Sequence, residues 1–142
     1  MQVSLTELPA VAEHLLQTLP TKESAVVVAL RGDLGAGKTT LVQALARTLG
    51  VVDPVLSPTY VLMRSYTLPA GRFAKLVHID AYRFDAPEQW EQLKPQEFLG
   101  DPGTLVLVEW PEKVEGFMPK PDLVVDIKQG TSDTERDIVI QA

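Results

Sequence analysis

The sequence predicts an α/β fold, one compact domain over residues 1–142 with a mixed central sheet flanked by helices. Three observations carry this. Ala25–Leu30 and Leu105–Val108 are short, apolar, β-branched runs of the kind found in strands buried on both faces. Glycines at 32, 35 and 37 lead from the first run straight into an amphipathic helical pattern. Tyr60–Tyr66 and Phe73–Ile79 flank a Pro69-Ala70-Gly71 turn and predict a hairpin. Buried parallel-type strands together with hairpins make a mixed sheet rather than a purely doubly wound one.

In chain order, Thr6 is placed to cap a first helix, whose apolar positions Leu8, Val11, Ala12, Leu15, Leu16 and Leu19 recur at helical spacing until Pro20. The Ala25–Leu30 strand and the glycine turn follow. A second helix spans Thr39–Leu49, apolar at Leu41, Val42, Leu45, Ala46 and Leu49, with Gly50 at its C-terminal stop. After the hairpin, Ala86–Phe98 predicts a helix interrupted near Pro95 and anchored by Trp90, Leu93 and Phe98. Asp122–Ile127 and Asp137–Ile140 predict two closing strands around a polar turn.

Composition narrows the function. Hydrophobic residues make up 45% and charged residues 23%, the balance of a soluble globular chain. Ala25–Leu30 is the longest wholly apolar run, far short of the roughly 20 residues a membrane helix needs. The first twenty residues hold Glu7 and Glu13 but neither Lys nor Arg, unlike a signal or transit peptide, so a cytoplasmic protein with no membrane partner is expected. The absence of cysteine excludes disulfides, thiol catalysis and cysteine-ligated metal. A net charge of −6 argues against autonomous nucleic-acid binding, which draws most of its affinity from basic faces.

The strongest chemical signal is Gly32-Asp33-Leu34-Gly35-Ala36-Gly37-Lys38-Thr39, a complete G-x-x-x-x-G-K-[ST] phosphate-loop motif between a buried strand and a helix. Glycine allows the backbone dihedrals by which successive N–H groups converge on phosphate oxygens. The following helix adds its positive end. The pattern predicts a P-loop NTPase domain that binds ATP or ADP through Gly35, Ala36, Gly37, Lys38, Thr39 and Thr40. Lys38 would reach the β- and γ-phosphates, and the Thr39 hydroxyl would ligate Mg²⁺.

Such a site needs a carboxylate at a neighbouring strand end. Glu109 follows four apolar residues, and Asp80 follows Lys75–Ile79. The pair permits a division of labour, one acid for the metal and the other for the attacking water, and the sequence leaves open which does which. His78 shares a strand face with Asp80 and reads either as a base or as an ordinary hydrogen-bonded histidine. Arg83 reads either as a phosphate sensor or as an ion-pair partner. Ser57 and Thr59, in Ser57-Pro58-Thr59-Tyr60, occupy a loop that could meet the metal or the γ-phosphate as a switch.

Taken together, GDLGAGKTT at 32–40, SPTY at 57–60, HIDAYR at 78–83 and VEWPEK at 108–113 resemble the bacterial TsaE family, also called YjeE, in order and spacing across residues 25–113. The resemblance implies a small Mg²⁺-dependent ATPase of tRNA threonylcarbamoyladenosine biosynthesis, slow alone and stimulated by partners. It implies that Thr39 and Glu109 ligate the metal, that Lys38, Asp80 and Glu109 are the catalytic groups, that Thr59 belongs to a switch-like loop, and that Arg136 lies near the nucleotide. It also implies action with the TsaB–TsaD complex, which would hold the tRNA, so that RNA contact is indirect. At the N-terminus, where the family commonly has Thr-x-x-Leu-Gly, this chain has Thr6-Glu7-Leu8-Pro9. Two rivals share the phosphate loop. A small-metabolite kinase should carry an Arg-rich lid, which the stretch after Arg83 lacks; a nucleotide-gated scaffold with vestigial hydrolysis would use the same residues.

Overall fold

The computed structural model describes residues 1–33, 35–52, 62–69 and 71–142. Within them the strands are β1 (Gln2–Ser4), β2 (Val26–Arg31), β3 (Met63–Thr67), β4 (Lys75–Asp80), β5 (Thr104–Glu109), β6 (Leu123–Gln129) and β7 (Glu135–Gln141). The helices are α1 (Leu8–Thr18) and α2 (Lys38–Thr48). One sheet runs in the order β1-β7-β6-β2-β5-β4-β3. Its centre is parallel, with β2 between β5 and β6 and with β4 beyond β5. Both flanks are antiparallel: β3 on β4 at one side, β7 on β6 and β1 on β7 at the other. The sheet is mixed, as the sequence predicts.

Alternation of side chains sorts the core onto two faces. Val26, Val28, Leu30, Leu76, Leu105 and Leu107 point toward α1 and α2, which pack on one face through Leu8, Leu15, Leu41 and Leu45. Val27, Val77, Ile79, Val106 and Val108 point the other way, against Trp90, Phe98, Phe84 and Val114. That second face carries short 3₁₀ segments (Pro87–Leu93, Pro95–Glu97, Pro111–Val114) where the first carries α-helices. Among the described residues no helix is long and apolar enough to cross a membrane.

Several elements differ from the sequence-based expectation. The first helical stretch is capped by Ser4, whose N–H and hydroxyl both donate to the Glu7 carboxylate, and not by Thr6, whose hydroxyl bonds Ser4 Oγ at 2.8 Å. Leu5–Glu7 then forms a 3₁₀ turn before α1, where Pro9 occupies the first turn at no hydrogen-bond cost. Ala86–Phe98 is not an α-helix. Pro95 bars its predecessor from the right-handed helical region, and Lys94 sits at φ 54°, so the segment divides into two 3₁₀ pieces. Gly50, at φ 98°, ends α2 as expected.

Trp90 is the largest side chain sealing the face without α-helices and is 1% exposed. Replacing it by Ala is expected to cost about 3–5 kcal/mol of unfolding free energy in guanidinium titrations. A loss below about 1 kcal/mol would show that the 3₁₀ segments are held by something other than this anchor.

Candidate functional site

The turn from β2 to α2 is built for glycine at two points. A Cβ on Gly32 would lie 2.4 Å from the Ile127 carbonyl oxygen, so a side chain there would collide with the neighbouring strand. Gly37 sits at φ 109°, in a region that disfavours side chains, one residue before α2 begins. The opening N–H groups of α2 have no partner within the helix, which makes this end a site of positive potential. From β7, the 8%-exposed Arg136 braces the turn. Its Nε donates to the Ala36 carbonyl at 2.7 Å and its Nη2 to the Gly35 carbonyl at 3.5 Å. Nη1 donates back to the Asp133 and Glu135 carbonyls at 2.7 and 2.8 Å.

Strand register brings the two acids to the same place. Glu109 is paired with Leu30 of β2 on one side and with Asp80 of β4 on the other. The C-terminal ends of three parallel strands therefore meet beside the glycine turn, where open α/β sheets place their ligands. Glu109, 2% exposed, uses both carboxylate oxygens. Oε1 accepts from the Thr39 hydroxyl at 3.4 Å, and Oε2 lies 2.5 Å from His78 Nε2. Asp80 is less enclosed, with Oδ1 accepting the Tyr82 N–H at 3.0 Å. Burial raises its carboxyl above the ordinary range and the Glu109 charge adds to this, while the Tyr82 hydrogen bond, His78 and Lys38 oppose it.

Lys38 folds over its own turn. Its Nζ donates to the Gly32 carbonyl and lies 3.8 Å from the centroid of the Trp110 ring. Burial lowers its pKa, and the charges of Glu109, Glu112, Asp80 and Asp33 push it back up. Trp110 is held at φ 58° directly after Glu109, and its ring meets Tyr82 at 5.0 Å between centroids. A cleft of about 460 Å³ opens here, lined among others by Lys38, Thr39, Asp80, Arg83, Trp110 and Arg136. Another cleft, of about 400 Å³, lies on the opposite face beside Ala29 and Val124, away from the two strand-end acids.

The structure thus gathers Gly35, Gly37, Lys38, Thr39, Thr40, Asp80, Glu109 and Arg136 around one opening. Ala36 sits behind it, with its carbonyl bonded to Arg136. Ser57 and Thr59 lie outside the described residues. His78 faces Glu109 within the protein and is fully buried, an arrangement unlike that of a solvent-facing base. Trp110 and Tyr82 are absent from the sequence-predicted site. The only signal for Trp110 was its position next to the strand-end acid.

Fold and site together define a class: an α/β protein with a phosphate-loop sequence at a strand-to-helix turn and two acids at the ends of neighbouring parallel strands. A family model described as "Threonylcarbamoyl adenosine biosynthesis protein TsaE" matches residues 3–138. The chain belongs to this family. A Haemophilus influenzae relative named tRNA threonylcarbamoyladenosine biosynthesis protein TsaE is 39% identical over 105 residues, which cover 74% of this chain and 64% of the relative. A relative of the same name from Aquifex aeolicus is 41% identical over 120 residues, 82% of this chain and 76% of the relative. The crystal structure of Bacillus subtilis YdiB superposes with a TM-score of 0.71 at 29% identity, covering 100% of this chain and 83% of that one. The chain thus spans a little under two thirds of the Haemophilus relative it matches.

The environment of Asp80 has a consequence for stability. A carboxyl raised by folding contributes fully below its ordinary value, near 3.9, and that contribution is lost as pH climbs through the raised value. Asp80→Asn keeps the acceptor for the Tyr82 N–H and removes the charge. In metal-free buffer it is expected to melt at a higher temperature than the parent at pH 7 and at the same temperature near pH 3. A variant that melts lower at pH 7 would contradict the desolvation argument.

Proposed function

We propose that the chain binds Mg²⁺ and ATP in the cleft beside Lys38 and hydrolyses the nucleotide slowly. We further propose that it serves as an accessory in N6-threonylcarbamoylation of adenosine 37 in tRNAs reading ANN codons, in the cytoplasm with the TsaB–TsaD complex. One observation carries the nucleotide reading: the Thr39 hydroxyl and the Glu109 carboxylate approach within 3.4 Å beside a glycine turn, under the helix end. The pathway reading is supported by family membership and by the names its relatives carry.

The donor set fits magnesium, since Thr39 Oγ1 and Glu109 Oε1 are hard oxygen donors and this cation takes few protein ligands beside phosphate oxygens. When bound, the ion would neutralise charge on the terminal phosphates. The protein's own groups do the rest. Lys38 exchanges its contacts with the Gly32 carbonyl and the Trp110 ring for phosphate oxygens, giving a buried ammonium a full counter-charge. The backbone N–H groups at the start of α2 hold the phosphates in line. Asp80 is suited to orient and deprotonate the attacking water, because burial has already made its carboxyl a better proton acceptor. Arg136 keeps the turn in its anion-ready shape through the carbonyls of Gly35 and Ala36.

Lys38→Ala is expected to weaken ATP binding about 10–100-fold, the worth of a charge-assisted hydrogen bond, in fluorescent-nucleotide titrations. Unchanged affinity would refute the site. Asp80→Asn is expected to bind ATP normally and to turn it over at least about 100-fold more slowly. For the cellular role, ATP hydrolysis should rise when the partner pair and tRNA are added. Mass spectrometry of tRNA from depleted cells should show loss of the threonylcarbamoyl modification, and an unaltered digest would defeat the pathway reading while leaving the ATPase reading in place.

A further inference from the structure

We infer that His78 is a positioning residue that fixes the Glu109 carboxylate so that its Oε1 edge, and not Oε2, is presented with Thr39 to a divalent cation. The inference rests on the nucleotide reading above and assigns a role to a residue that reading leaves unused.

Glu109 stands at the end of β5, and a glutamate there has several rotamers open to it. His78 removes that freedom. It is fully buried, and its Nε2 lies 2.5 Å from Glu109 Oε2. A carboxylate only accepts, so the hydrogen of this contact belongs to Nε2. The other ring nitrogen, Nδ1, is buried without a hydrogen-bond partner, so the ring's one polar contact is the Glu109 carboxylate. With Oε2 occupied from the core, Oε1 is the edge left toward the Thr39 hydroxyl, 3.4 Å away. The imidazole cannot swing out, because it lies in the sheet among Leu76, Leu105 and Leu107 and has no exposed surface. The arrangement is that of an outer partner that orients a carboxylate ligand from behind.

The substitutions His78→Asn and His78→Gln separate this role from mere packing. The Gln amide nitrogen falls near the position of Nε2 and can still donate to Oε2; the Asn amide cannot reach it. Calorimetric titration of ADP into each protein without divalent cation reports the phosphate loop alone. Titration of Mg²⁺ into the ADP-saturated proteins reports the cation site. His78→Asn is expected to bind ADP within about twofold of the parent in the absence of cation, and to need about 10–100-fold more Mg²⁺ for half-saturation. His78→Gln is expected to recover most of the loss. Equal Mg²⁺ requirements in the parent and in a folded His78→Asn protein would overturn the inference and leave the nucleotide reading intact. Failure of the parent itself to bind ADP would overturn both.

A measurement on the unsubstituted protein holds even if both variants fail to fold. There are only two histidines, and His14 is exposed, so a protected imidazole N–H in ¹⁵N-labelled protein belongs to His78. That signal is expected to move when Mg²⁺ is added to the ADP complex and to stay near its place when ADP is added alone. A signal indifferent to Mg²⁺ would show that the contact does not report on the cation site and would end the proposal.

Discussion

The site depends on a register. Parallel pairing of β2, β5 and β4 sets Leu30, Glu109 and Asp80 side by side at the C-terminal edge of the sheet. A slip of one residue in β5 would turn Glu109 to the face covered by Trp90 and Phe98, and would bring Val108 to the mouth of the cleft. The register is specified because both faces of these strands are buried: Leu105 and Leu107 pack under α1 and α2, while Val106 and Val108 pack on the other side. The apolar core therefore places the acids, and the acids do not place themselves.

Against that frame the charged groups are arranged at some cost. Lys38 is almost wholly enclosed, and its contacts are a carbonyl and an aromatic ring, weaker partners than a phosphate. Asp80 is held above the ordinary carboxyl range chiefly by burial. Both groups would be better served by a bound anion and cation than by their surroundings here. Arg136 is the opposite case. Its guanidinium is buried but satisfied by four backbone carbonyls, so it acts as a strut between the β6–β7 turn and the glycine turn. Proximity of this arginine to a nucleotide, the expectation carried by the family resemblance, is compatible with the strut. The hydrogen bonds give it an additional and more definite task.

What was legible in the sequence follows from what is local. The glycine turn, the buried runs on either side of the acids, and the strand-end positions of Asp80 and Glu109 all declare themselves within a few residues. Ala86–Phe98 misleads because scattered anchors such as Trp90 and Phe98 mimic a helical period while Pro95 removes an interior donor and excludes Lys94 from the helical region. β1 is three residues long and owes its existence to pairing with β7 at the far end of the chain, so no local pattern marks it. The contacts of Trp110 with Lys38 and of Arg136 with Ala36 are likewise long-range, set by which strand ends the sheet brings together.

The two roles proposed for the carboxylates require one edge to treat two acids differently. They are neighbours in register and of the same chemical type, yet their surroundings divide them. Glu109 is gripped by a side chain at each oxygen, which suits a group that must keep one geometry while a cation comes and goes. Asp80 has one oxygen tied to a backbone N–H, and its charge is disfavoured by burial and by Glu109 itself, which suits a group that must take up a proton. The sequence leaves these roles interchangeable. The difference in surroundings arises from β4, which supplies His78 to hold Glu109 and, two residues later on the same face, Asp80 itself.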